Sequence, residues 1–220
     1  MVQRSMMENR TIERYRKRTL LLHWVHSASF VILIVTGGVL FLPGLGPVGG
    51  GAIGIIHRVA VVIFVAVPVL HALYEPKTAL GFVKDALAWT KEDLKWFLAA
   101  PGYYFGGPEE KMPAQDRVNT GQKLWELVIL VTGAVFLASG TILWFFRWSV
   151  PIPVYQWTLF VHGIAFVIVL VMFLVHLYLA VLHPRFRESL RSMLDGRVSP
   201  SYAKRHYRRW YDRITGNRRG

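Results

Sequence analysis

The chain has 220 residues, 53% of them hydrophobic, with a mean hydropathy of +0.35 and a formal net charge of +13. Its apolar residues come in blocks longer than a water-soluble domain carries, which excludes an ordinary soluble fold. There are no cysteines, which excludes a thiolate-held iron–sulfur cluster and a c-type haem attached through CxxCH.

Residues 1–18 form a basic arm carrying Arg4, Arg10, Arg14, Arg16, Lys17 and Arg18. The apolar run that follows is longer than the core of a cleavable signal and lacks a small-residue cleavage site, so it is expected to anchor the chain. Four stretches, about 19–42, 53–74, 124–146 and 155–182, are long enough to cross a hydrocarbon core, and only Arg58 and Glu126 are charged inside them. Helices are expected, because lipid leaves open strand edges unsatisfied and the runs lack the alternation of a membrane barrel.

Of the 26 lysines and arginines, six precede the first span, seven lie in 75–123 and eleven lie after residue 184. The opposite connections, PGLGPVGGGA at 43–52 and the stretch 147–154, contribute only Arg147 and, at the margin, Arg58. That asymmetry places both termini and the middle segment in the cytoplasm and argues against nucleic acid as the partner of the positive charge. Between spans two and three, residues 77–100 alternate apolar positions and lysines at helical spacing, as in a helix lying in the interface. Pro101, Gly102, Gly106, Gly107 and Pro108 are expected to break regular structure before VNTGQK leads into span three.

The fold class is therefore all-α: an integral-membrane four-helix bundle with both termini cytoplasmic. Its domains are the basic arm 1–18, the transmembrane domain 19–182 with its cytoplasmic segment 75–123, and a basic cytoplasmic tail 183–220.

The run HGIAFVIVLVMFLVH places His162 and His176 fourteen residues apart. On one helix they share a face but lie roughly 21 Å apart, so one metal ion cannot join them. His23, His26, His57, His71, His162 and His176 all fall in or near spans, where ionisable groups are costly and mark function. By topology His57 and His162 lie towards the outer side, and His23 and His176 towards the cytoplasm. Two cross-helix imidazole pairs at two depths suit two six-coordinate b-type haems, each iron held from above and below. Zinc or copper would need three or four ligands at one depth. His57 with His162 and His23 with His176 are the expected axial pairs. His71 competes with His23, since it repeats the fourteen-residue spacing after His57, and His26 is the third contender. Gly37, Gly38, Gly133, Gly140 and Gly163 provide clearance for a bulky group or close helix packing. Arg58 and Arg147 are candidate contacts for haem propionates. Glu126 is a candidate proton relay, or a carboxylate suited to a helix N-terminus. The tail, with Tyr202, Tyr207, Trp210 and Tyr211 among arginines, suits anionic lipid or a role in assembly.

The chain resembles the cytochrome b (gamma) subunit of respiratory membrane-bound formate dehydrogenases. The residues that carry the resemblance are HW at 23–24, the histidine opening span two, NTGQK at 119–123, GTILWF at 140–145, VH at 161–162, VHLYLAVL at 175–182 and GRVSPSYAKRHYRRWYDRI at 196–214. The di-haem cytochrome b of membrane-bound nickel–iron hydrogenases is similar in its histidine pattern. The resemblance implies haem ligands at the positions of His23, His57, His162 and His176. It also implies a site for menaquinone or ubiquinone beside the cytoplasmic-side haem, at the positions of Asn119, Gly121 and Gln122 and near His176. A helix cap formed by Asn119 and Thr120 is the structural alternative.

By the same resemblance the chain anchors a complex in the bacterial cytoplasmic (inner) membrane. Electrons would pass from an iron–sulfur beta subunit through two haems b to quinone. Formate chemistry would belong to a separate molybdenum or tungsten alpha subunit, membrane lipid would be a further partner, and a higher oligomer of the whole complex is left open. The rival readings are the cytochrome b of a nickel–iron hydrogenase or of a quinol-linked reductase and, from another class, a haem-free anchor or transporter.

Overall fold

The structure, a computed structural model, describes residues 11–42 and 51–216. Residues 1–10, with Arg4 and Arg10, residues 43–50 and the last four residues lie outside the described residues.

Among the described residues, four helices are long and apolar enough to cross a membrane: α1 (Lys17–Phe41), α2 (Ala52–Tyr74), α5 (Thr120–Thr141) and α6 (Ile152–Leu177). A π-helical turn, 142–146, extends α5, and another, 178–182, extends α6. Between α2 and α5 lie α3 (Pro76–Leu87) and α4 (Lys91–Tyr104); after α6 come α7 (Arg187–Asp195), α8 (Pro200–His206) and α9 (Arg208–Ile214). Two-residue strands β1 (Ile12–Glu13) and β2 (Arg197–Val198) pair antiparallel, Ile12 opposite Val198.

Local chemistry sets the boundaries. The expected interfacial helix is split in two at Thr90, whose backbone N–H and hydroxyl both donate to Asp93 Oδ2, at 2.8 and 2.9 Å, and start α4 afresh. The expected break at Pro101 does not occur there. Proline lacks a donor but still accepts, and its carbonyl takes the N–H of Phe105 at 3.1 Å, so α4 continues to Tyr104. The chain turns instead at Gly106, whose φ of +98° is costly for any residue with a Cβ. Helix α5 begins at Thr120, earlier than hydropathy alone suggests, because Asn119 and Gln122 cap it.

The chain divides into two compact units. One comprises 21–82 and 127–177 and holds most of the four long helices. In it α1 meets α2 through Phe30 and Phe64, with centroids 5.8 Å apart, and α6 through Phe30 with Phe173 at 5.2 Å and Phe41 with Phe166 at 5.5 Å. Helices α5 and α6 meet at Phe136 and His162, at 4.9 Å.

The described residues of the other unit come from three segments, 11–20, 83–126 and 178–216. Its core is Val198, Tyr202, Ala203, Tyr207 and Trp210. The tail aromatics thus fill an interior. Arg14 is buried there, its guanidinium 3.8 Å from the Tyr207 ring centroid, donating to Arg117 O at 3.0 Å and to Ser189 Oγ at 3.3 Å. Arg213 pairs with both carboxylate oxygens of Asp116.

Candidate functional site: paired imidazoles in the long helices

His57 lies near the start of α2, close to Thr36 on α1. Thr36 Oγ1 is 2.7 Å from the backbone carbonyl of Ile32 and 2.8 Å from His57 Nδ1. A carbonyl only accepts, so a hydroxyl that donates to Ile32 O accepts from Nδ1–H of the imidazole. The same arrangement recurs between α5 and α6. Ser139 Oγ donates to Val135 O at 2.6 Å and receives Nδ1–H of His162 at 2.8 Å. Both rings then carry their lone pair at Nε2.

A glycine follows each hydroxyl residue. A methyl group at Gly37 would lie 3.6 Å from Cε1 of His57, and one at Gly140 would lie 3.9 Å from Cε1 of His162. His57 is an electrostatic neighbour of His162.

The second pair is built differently. His176, late in α6, has His23 of α1 as its electrostatic neighbour, and His23 Nδ1 is buried without a hydrogen-bond partner among the described residues. His26 stacks on Phe64, with centroids 4.0 Å apart and planes at 24°. His71 faces Glu75 one turn along α2, with Nε2 3.7 Å from Oε2. Among the described residues no three or more metal-ligating side chains converge, so imidazole pairs are the ligand sets on offer. Such pairs fit an iron that brings its four equatorial ligands with it, as in haem. Arg58 sits 6.0 Å from the Trp144 ring and Arg147 sits 4.3 Å from Trp148.

Asn119 and Gln122 act on each other. Gln122 N donates to Asn119 Oδ1 at 2.9 Å and Asn119 N donates to Gln122 Oε1 at 3.0 Å, a reciprocal cap that leaves the two side-chain amide groups as donors. Gly121 passes under Trp96, where a methyl group would come within 3.0 Å of the indole. Asn119 also lines a cavity of about 370 Å³ walled by Trp96, Tyr103, Tyr104, Phe186 and His206. Burial pushes the Tyr104 hydroxyl up to about 12.

Beside the cap, Asp93 Oδ1 accepts from Thr120 Oγ1 at 2.6 Å and from Lys123 Nζ at 3.1 Å. Burial alone would raise this carboxyl, but these bonds and those from Thr90 hold it below its ordinary value. Glu126 Oε2 is buried with no hydrogen-bond partner among the described residues, and Asp85, Arg117 and Lys123 are its electrostatic neighbours.

Sequence reasoning passed over Thr36, Ser139 and Asp93, as well as His183 and His206. The visible signal for the first two was a hydroxyl residue followed by glycine inside an otherwise apolar helix. The last two histidines serve structure: His183 Nε2 lies 3.2 Å from Tyr104 O, and His206 Nδ1 lies 2.8 Å from Tyr103 OH.

Long apolar helices with imidazole pairs define a membrane-spanning cytochrome of the b type. The chain belongs to the family of prokaryotic cytochrome b561, which it matches over residues 14–196. It is similar to the cytochrome b556(Fdn) subunit of the nitrate-inducible formate dehydrogenase of Escherichia coli K12, 31% identical over 128 residues, and spans 56% of that relative's length. It is also similar to the formate dehydrogenase cytochrome b556(fdo) subunit of the same organism, 27% identical over 214 residues and 93% of each chain. A third relative, the formate dehydrogenase cytochrome b556 subunit of Haemophilus influenzae, is 26% identical over 91% of this chain and 82% of its own.

Proposed function

We propose that this chain is the cytochrome b subunit of a formate dehydrogenase, anchoring the complex in the bacterial inner membrane with both termini cytoplasmic. The supporting observation is the pairing itself: His57 neighbours His162, and His23 neighbours His176, on three of the helices able to cross a bilayer, α1, α2 and α6. His57 with His162, and His23 with His176, would each hold one haem b, and the bound haems would supply one-electron chemistry between an iron–sulfur partner and membrane quinone. Formate oxidation itself belongs to a molybdenum or tungsten partner subunit.

The chain's own residues bind and orient. Arg58, an electrostatic neighbour of His57, and Arg147 offer positive charge for propionates. Asn119 and Gln122 keep free amide donors after capping α5, and Asn119 faces an aromatic-walled cavity, which suits a quinone carbonyl. Gly121 lets Trp96 close over the helix start.

The test is the complex purified from membranes, with pyridine haemochrome as the assay. Two haems b per chain are expected, with His57→Ala or His162→Ala removing one and leaving the other. A preparation with no reduced α-band refutes the reading.

A further inference from the structure

Each imidazole of the His57/His162 pair meets the same two-residue device on a neighbouring helix: a hydroxyl at Nδ1 and a glycine beside Cε1. The device is Thr36–Gly37 for His57 and Ser139–Gly140 for His162, separated from their histidines by 21 and 23 residues. It therefore occurs once in each pair of consecutive spans.

Both hydroxyls are buried, and both spend their proton on the carbonyl four residues earlier in their own helix. A hydroxyl so committed can only accept from a neighbouring ring. A neutral imidazole has one N–H, so the proton sits at Nδ1 and Nε2 is left with its lone pair. An apolar residue in place of the hydroxyl would leave Nδ1–H buried and unpaired, and would let the proton move to Nε2, where it blocks ligation.

We propose that Thr36 and Ser139 are positioning residues that fix the tautomer and rotation of His57 and His162 so that Nε2 is presented to iron. The proposal rests on the haem reading above and adds the agents that prepare the ligands. The hydrogen bond from Nδ1 also makes each imidazole a stronger electron donor, which favours ferric iron and lowers the reduction potential.

The test uses the whole complex in wild-type form and as Thr36→Val, Thr36→Ser, Ser139→Ala and Ser139→Thr. Haem is counted by pyridine haemochrome, each haem is titrated by its α-band, and the ferric low-spin signals are read by electron paramagnetic resonance. Thr36→Val and Ser139→Ala are expected to shift one potential to more positive values and to alter one low-spin signal. Affinity for that haem should fall about 10–100-fold. The second haem stays unchanged, and Thr36→Ser and Ser139→Thr restore wild-type behaviour.

Two haems with unmoved potentials and signals in Thr36→Val and Ser139→Ala overturn the proposal while the haem reading stands. Loss of both haems that the hydroxyl-retaining variants do not restore also overturns it, since that is a general folding defect. A wild-type complex without haem overturns the reading beneath it.

Discussion

Asparagine at position 93 should cost this protein about 3 kcal/mol of stability, within the range for breaking a buried ion pair. The Asp93 carboxylate is 4% exposed and accepts from Thr90 N and Oγ1, from Thr120 Oγ1, and from Lys123 Nζ. An amide keeps one acceptor and sets an NH2 group against donors, leaving at least one buried donor unpaired at about 1–3 kcal/mol. Lys123 also loses its counter-ion. Full loss of a buried pair costs about 3–5 kcal/mol. The lysine side chain keeps 16% exposure and a 2.9 Å bond to Ala88 O, which holds the figure to the lower end. For a chain of this size about 3 kcal/mol corresponds to roughly 6–12 °C in melting temperature. The assay compares melts of detergent-purified wild type, Asp93→Asn, Lys123→Met and the double variant. The double variant should lose distinctly less than the sum of the singles, because removing both charges leaves neither stranded. A drop below about 2 °C for Asp93→Asn, or strict additivity, would refute the pairing.

His71→Ala is expected to leave both haems in place, because His71 is turned to Glu75; one haem lost from that variant, by pyridine haemochrome, would return His71 to the ligand set. Burial first, then Arg205 and Arg185, push His206 down to about 4 against an opposite pull from Glu188. Between that value and the unfolded value of about 6.5, the unfolded chain binds a proton that the folded chain refuses, so stability should rise with pH across this window and be lost as pH falls through it. Melts from pH 4.5 to 7.5 check the slope, which His206→Phe should flatten; an unchanged slope in that variant contradicts the assignment. Gly121→Ala drives a methyl group to within 3.0 Å of Trp96 and should cost about 1–3 kcal/mol of overpacking, read as a lower melting temperature with haem content unaltered.

The four spans were legible because bilayer thickness imposes a length that composition cannot hide. The start of α5 was legible in part: a cap at Asn119 was readable, but its reciprocal partner is Gln122 rather than Thr120, and the helix starts before the apolar run does. Pro101 misled in the other direction, its missing donor being tolerated where the carbonyl still continues the helix. The tail resisted most. Tyr202 and Trp210 lie on two seven-residue helices and Tyr207 on the junction between them, segments too short to show periodicity, and their burial depends on residues far away in the chain. Histidine positions were visible, but the proton on each ring was not, because it depends on hydroxyls of a neighbouring helix. Residues such as Thr36 carry no signal of their own beyond a polar group in an apolar run.

The small ladder between Ile12–Glu13 and Arg197–Val198 sets an order of events during synthesis. Arg14 and Tyr15 emerge early, yet their backbone partner, the carbonyl of Gly196, is made only after all four long helices. The unit that contains them therefore cannot close around Arg14 until translation has passed the last span. A chain stalled before that point carries an unlatched arm and an exposed arginine, and closure of the latch reports that every span has been made.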